Sequence, residues 1–179
     1  VNTLQQEKMD ISRVRRAVGE NGMAVVTLDE QGDRVFVGSN KGGVQSRLKL
    51  MLNESDLTYI RQHDLLHTSV FSHLESDLPL LHKIIDISFD FSTRYDEEYL
   101  QQVCPYISYA FFSGSSLPEE ECMNLIKRVH LLGTSVVCVT RGEEGALLSV
   151  ENQLFKQPII PTNVVDTLGA GDSFIAGFL

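Results

Sequence analysis

The sequence predicts an α/β fold built on a mainly parallel sheet with helices on both faces, and three observations carry that reading. Between Leu65 and Val139, short β-rich runs alternate with helical patterns, the order that builds βαβ units. Ser135 to Thr140 is a continuous β-branched run of the kind that is buried on both faces of a parallel sheet. Ahead of these lies a unit of another kind: two short β runs, Met23 to Leu28 and Arg34 to Val37, joined by a Glu30-Gln31-Gly32-Asp33 turn.

Each element has its own justification. After the glycine-rich Lys41-Gly42-Gly43 connection, Glu54 to Gln62 reads as a helix and Leu65 to Phe71 as a strand. Leu74 to Ile84 carries an amphipathic helical pattern, Ile87 to Phe91 a strand, Glu97 to Val103 a helix and Ile107 to Phe112 a strand. Pro118 opens a helix where its missing N–H costs nothing. Within that helix Cys122, Leu125, Ile126, Val129 and Leu132 recur at helical spacing, and Gly133 ends it. Two further strands are predicted near Ala146 to Val150 and Gln153 to Lys156.

Composition excludes several classes. The chain has 179 residues, 42% hydrophobic and 22% charged, so it can bury a sizeable core. A net charge of −9 argues against a nucleic-acid or anionic-membrane surface. No apolar stretch approaches the length of a membrane span, and no signal peptide is visible at the start. Cys104, Cys122 and Cys138 are an odd number without C-x-x-C spacing, which is the cysteine usage of a reducing cytosol; Cys138 reads as a small buried hydrophobe. The expected location is cytoplasmic.

The chemistry concentrates in Asp166-Thr167-Leu168-Gly169-Ala170-Gly171-Asp172, which leads into an apolar helix. Gly169 and Gly171 let the backbone pass close to a ligand, and free N–H groups at a helix start cradle an anion. A carboxylate beside such a cradle is placed as a general base next to a transferable phosphoryl group. The alternative is that Asp172 is an N-cap and the glycines a tight connection. Glycine is missing at Phe174 for a dinucleotide G-x-G-x-x-G, and no G-K-[ST] occurs for a Walker loop.

The longer run, with Ser173-Phe174 and Ala176-Gly177, closely resembles the signature of the ribokinase-like (pfkB) carbohydrate kinases. The resemblance implies a three-layer ribokinase-like core with a small β lid, here residues 19–43 as lid and 1–18 with 44–179 as a partial core. Against the family pattern, a strand and a sugar-contact segment are expected before this chain's first residues, and further helices beyond Leu179. It implies Asp172 as the base, and Gly169, Ala170 and Gly171 as the hole that stabilises the transferring phosphoryl group. The implied cofactors are ATP and Mg²⁺. The implied partner is a small-molecule sugar or fructosamine, with a second copy of the chain joined through the lid as a further expectation; no nucleic acid and no membrane are expected.

Two other segments resemble family motifs. Thr140-Arg141-Gly142-Glu143-Glu144-Gly145 is similar to T-x-G-x-x-G, which implies that Thr140, Arg141, Gly142 and Gly145 line the nucleotide; without the family it is a strand–turn–strand connection. Asp90-Phe91-Ser92-Thr93-Arg94 resembles D-x-N-x-R, with Ser92 in place of asparagine. Asp90 and Arg94 are therefore candidate substrate contacts, a local Asp–Arg pair being the equal alternative. His63, His67, His73 and His82 span too many elements to form one metal site, so structural or surface roles are the first expectation for them, with His67 a candidate sugar contact as the other. The main departure is Ser113 and Ser116 where the family places N-x-x-E, so the metal ligands are unassigned. Glu119, Glu120 and Glu121 follow on the first turn of a helix, where the dipole alone favours them.

The segments Asp64 to His73, Ser88 to Ser92 and Gly171 to Leu179 look most like the fructoselysine-phosphorylating branch of the family. That likeness implies transfer of the γ-phosphate to a primary hydroxyl of a fructosamine. A kinase of a free sugar, as in fructokinases and ribokinases, is the first alternative. A nucleotide- or sugar-sensing protein that kept the fold without catalysis is the second.

Overall fold

The computed structural model describes residues 2–28, 34–164 and 166–179, which form two compact units, Val1–Tyr59 and Ile60–Leu179. In the first unit, α1 (Asn2–Gln6) precedes an antiparallel pair, β1 (Ala24–Leu28) and β2 (Arg34–Ser39), and α2 (Glu54–Ile60) closes it. The predicted Glu30–Asp33 turn lies outside the described residues. Polar links do much of the work of a core here. The Arg15 guanidinium pairs with Asp56, Arg13 donates to Ser55 Oγ (2.6 Å), and the Tyr59 hydroxyl donates to Asp10 (2.6 Å). These bonds join residues 10–15 to 55–59, and the compact unit takes in residues 1–59 as a whole, whereas the sequence-based division sets residues 19–43 apart from 1–18 and 44–179.

The second unit is a six-stranded sheet whose spatial order follows the chain: β3 (Leu65–Ser69), β4 (Asp86–Asp90), β5 (Tyr109–Ser113) and β6 (Val136–Thr140), all parallel. Two antiparallel strands, β7 (Ala146–Val150) and β8 (Gln153–Gln157), extend it. Each parallel connection carries a helix: α3 (Leu78–Leu81), α4 (Glu97–Val103) and α5 (Glu119–Leu131). A last helix, α6 (Ala170–Phe178), follows β8 after residues 158–169. No helix among the described residues is long and apolar enough to cross a membrane.

Pleating sends alternate strand residues to opposite layers. On one side Phe91 stacks on Phe112 (4.4 Å between ring centroids), and Tyr99 of α4 meets Phe89 and Phe91 edge-on. On the other, Ile175 of α6 is buried with Phe111, Cys138 and Ala146, and Phe178 meets Phe111 edge-on at 5.4 Å. Helices therefore cover both faces, as the alternating pattern requires. All three cysteines are buried free thiols. Burial pushes those of Cys104 and Cys138 up to about 12, so both act as small apolar side chains.

One predicted element is much shorter than expected. The pattern over Leu74 to Ile84 yields only the turn Leu78–Leu81, although Leu74, Leu78, Leu81 and Ile85 are all buried. Pro79 has no N–H and is tolerated only in a first turn, so no helix can reach it from Leu74. Apolar spacing here reported burial rather than helix. The chain between Leu65 and Phe71 likewise leaves the sheet at Ser69, two residues early.

Gly145, between β6 and β7, sits at φ 87, and a Cβ there would lie 2.0 Å from the Gln157 carbonyl oxygen. Both the left-handed backbone and the close approach of β8 exclude any side chain. Gly145→Ala is expected to lower stability by about 2 kcal/mol or more, read as a shift of the urea unfolding midpoint with unchanged slope.

Candidate active site

Within the second unit His67 lies on β3, Asp90 ends β4 with Arg94 just beyond it, Thr140 ends β6 with Arg141, Gly142 and Gly145 in the loop that follows, and Gly169 to Asp172 start α6. Open α/β sheets bind ligands at this end of their strands, where loops leave the sheet in opposite directions. The strand ends are tied crosswise. The Ser113 N–H donates to the Ser92 carbonyl and the Gly114 N–H to the Thr140 carbonyl, both at 2.7 Å. Gly114 permits this, since a Cβ would lie 2.4 Å from Val139 Cγ1.

At the start of α6, Gly169 is the N-cap with φ 74, and Ala170, Gly171 and Asp172 are the first three helical residues. Asp172 is thus inside the first turn, and the N-cap alternative does not hold for it. The Asp166 side chain accepts from the Leu168 N–H (2.7 Å), and the Ala170 N–H donates to the Thr167 carbonyl (3.1 Å). This differs from the expected hole, in which Ala170 also served the anion. By helix geometry the N–H groups of Gly171 and Asp172 have no intrahelical acceptor. A Cβ on Gly171 would meet nothing within 4 Å, so space is open beside these donors.

Asp90 ends β4 and is partly buried, its Oδ1 accepting from the Ser92 N–H at 2.8 Å. Ser92 has φ 55, a conformation that asparagine adopts more readily than most residues, which accounts for asparagine at the matching place of D-x-N-x-R. Burial pushes the Asp90 carboxyl above its ordinary range. The Ser92 N–H and the His67 ring oppose the shift, and the charge of Asp172 adds to it. Asp90, His67 and Asp172 therefore share one electrostatic neighbourhood. His67 Nδ1 lies 3.0 Å from Ser88 Oγ, and Ser88 is fully buried.

Arg94 is placed differently from the Asp–Arg pair that the motif suggested. Its guanidinium lies over the Tyr99 ring at 3.7 Å, and Nε donates to Asp96 (3.2 Å), not to Asp90. Arg141 is buried, with Nη1 3.2 Å from Glu119 and Nη2 on Glu144. Thr140 Oγ1 donates to the Phe112 carbonyl (3.3 Å). Glu119 also pairs with Lys156, and these cations hold its carboxyl below the usual range. No group of three or more metal-ligating side chains is found among the described residues.

Two contributors escaped the sequence reading. Ser88 had a legible signal, since Ser88 and Asp90 alternate with Ile87, Phe89 and Phe91 and so share a face. Lys156 had none, because its partner Glu119 lies 37 residues away.

Solved ribokinases share the fold: the Arabidopsis thaliana enzyme, complexed with ribose and ATP, superposes with a TM-score of 0.70 at 21% identity, over 90% of this chain and 56% of that one. The Giardia lamblia ribokinase gives 0.74 at 16% identity, over 99% and 59%. Residues 108–179 match the model of the pfkB family carbohydrate kinases. Among curated relatives, the fructosamine kinase of Bacillus subtilis is 58% identical over the whole chain. The fructoselysine 6-kinase of Escherichia coli is 36% identical over 96% of it. The chain spans 63% and 64% of the length of these two relatives.

The raised Asp90 titration has a definite sign. The folded protein holds this proton to higher pH than the unfolded chain, whose ordinary value is 3.8, so ionising Asp90 costs stability. The cost is absent below the unfolded value and complete above the folded one. Asp90→Asn keeps an oxygen for the Ser92 N–H. Its stability relative to the parent is expected to rise as pH climbs from about 3.5 to about 7, measured by urea unfolding across that range.

Proposed function

We propose that this chain is the main part of an ATP-dependent kinase that transfers the γ-phosphate to a primary hydroxyl of a fructosamine, giving fructoselysine 6-phosphate from fructoselysine. The names of the two curated relatives support the substrate, the likeness of both extending over nearly all of this chain. The observation that carries the chemistry is Asp172 in the first turn of α6, beside two N–H donors that have no acceptor within that helix and in the electrostatic reach of Asp90.

The residues fit a phosphate-bearing nucleotide. A Cβ on Gly171 would meet nothing within 4 Å, so a ligand can approach the first turn of α6 on that side, and the helix dipole favours an anion at its start. Asp172 accepts the proton of the acceptor hydroxyl as that oxygen becomes the nucleophile. The 140–145 loop borders the nucleotide, and His67 and Asp90 orient the sugar. When bound, ATP supplies the phosphoryl group and magnesium neutralises its charge. Magnesium retains several waters and binds through substrate phosphates in such sites, so no dedicated cage is required. Glu119 is committed to Arg141 and Lys156 and is not one of its ligands in this proposal. Three free cysteines and no metal-binding pattern among them accord with a cytoplasmic setting.

Asp172→Asn in the full-length enzyme is expected to keep the fold and ATP binding while kcat falls by about 10²–10⁴. Near-normal turnover would remove Asp172 as the base. An ADP-release assay across fructoselysine, fructose and ribose tests the substrate: the highest kcat/KM belongs to fructoselysine, and equal or better values on fructose would make this a free-sugar kinase.

A further inference from the structure

Arg141 was grouped with the nucleotide contacts by its place in the motif, but its side chain is turned inward. It is 9% exposed, with its guanidinium between Glu119 at the start of α5 and Glu144 across its own loop, beside the Cys122 thiol. Lys156 of β8 reaches the same Glu119 carboxylate. Two cations and two carboxylates thus join three elements that are separate in sequence: the α5 start, the β6–β7 loop and β8.

The loop is shaped around this group. The Arg141 N–H donates to the Gly145 carbonyl (2.7 Å), and the Glu144 N–H to the Arg141 carbonyl (3.1 Å). Gly142 and Gly145 take positive φ values at either end. Gly142 and Glu143 are exposed on the outside of the turn while the guanidinium fills the inside. Its Nε is buried without a hydrogen-bond acceptor among the described residues, a cost that an apolar side chain of similar volume would not carry. Arg141 is the buried member of the cluster, its partners Glu119, Glu144 and Lys156 being partly exposed, and ion pairs to exposed partners add little stability, so the cluster is poorly explained as a source of stability. A planar fork that bridges two carboxylates does set geometry, which a lysine could not match.

We propose that Arg141 is a positioning residue for the nucleotide: it touches no ligand, and by bridging Glu119 and Glu144 it holds the 140–145 backbone at the height and angle at which that loop meets ATP. The inference rests on the kinase reading for the loop's ligand. It assigns the arginine of T-R-G-x-x-G to the underside of the loop, and it makes Glu119 a working partner rather than a dipole ornament.

The test uses full-length enzyme with Arg141→Leu, Arg141→Lys, Glu119→Gln and the double variant Arg141→Leu/Glu119→Gln. ATP KM and sugar KM are measured separately, ADP binding is measured by calorimetry, and unfolding is followed in urea. Arg141→Leu is expected to raise ATP KM and weaken ADP binding by about tenfold or more, with sugar KM within about twofold. Arg141→Lys recovers part of the loss. Glu119→Gln, a change at a half-exposed carboxylate that leaves the fold intact, shifts ATP KM in the same direction by a smaller factor. The double variant is no worse than Arg141→Leu, because the two residues act through one bridge. Unchanged ATP KM and ADP binding in folded Arg141→Leu, or in Glu119→Gln if the former does not fold, would overturn the proposal, as would equal rises in both KM values. Calorimetry separates this outcome from a failure of the kinase reading: a parent enzyme that binds ADP but phosphorylates no sugar refutes the reading and leaves the bridge measurable. A parent that binds no ADP refutes both.

Discussion

Burial of Ile175 against Phe111, Cys138 and Ala146 is the contact on which the rest of the site depends. A nine-residue helix containing two glycines would not hold together in water, because nucleation is costly and each glycine weakens propagation. Seated on the sheet, α6 presents its first turn as a fixed feature. The donors of Gly171 and Asp172 and the Asp172 carboxylate then face a constant direction. Phe178 on Phe111 secures the far end of the same helix.

The sheet supplies the second half of the site by a different device. Its carboxyl ends are bonded across strands, Ser92 to Ser113 and Thr140 to Gly114, so the loops that leave β4, β5 and β6 start from one rigid edge. Gly114 and Gly145 are needed because the Val139 side chain approaches the first, and the β8 backbone the second, too closely for any Cβ. This changes the meaning of Gly145, whose place in the motif suggested ligand clearance. The structure gives it a packing reason that holds with or without a nucleotide. Asp90, meanwhile, is kept partly desolvated near Asp172, a tension that ordinary surface carboxylates do not bear and that a functional edge retains.

Much of this was legible along the chain, element by element. The 97–103 helix, the 118–132 helix and the β6–β7–β8 run follow from periodicity, proline and glycine placement, and β-branched content. The 74–84 segment was misread because its leucines repeat at helical spacing while Pro79 forbids the helix they suggest. The bonds that gather the first unit run between residues some forty positions apart, out of reach of local spacing. Within the site, Asp172 and its glycines were visible as a contiguous motif. The direction of Arg94 and Arg141 was not, since each side chain answers to partners outside its own motif.

The sequence by itself determined the α/β class, the order of the strands along the chain, the phosphate-type turn at the start of α6 and the family likeness that its contiguous motifs carry. All of these rest on local spacing or on contiguous residues, which a linear reading can register. Tertiary structure alone decided that Asp172 sits three residues into the helix, that the Ala170 N–H is spent on Thr167, that Arg94 stacks on Tyr99, and that Arg141 lies beneath its loop. Those outcomes depend on which carboxylate, ring or carbonyl is brought within about 3–4 Å. That proximity is set by the packing of the whole unit and is written in no single segment of the chain.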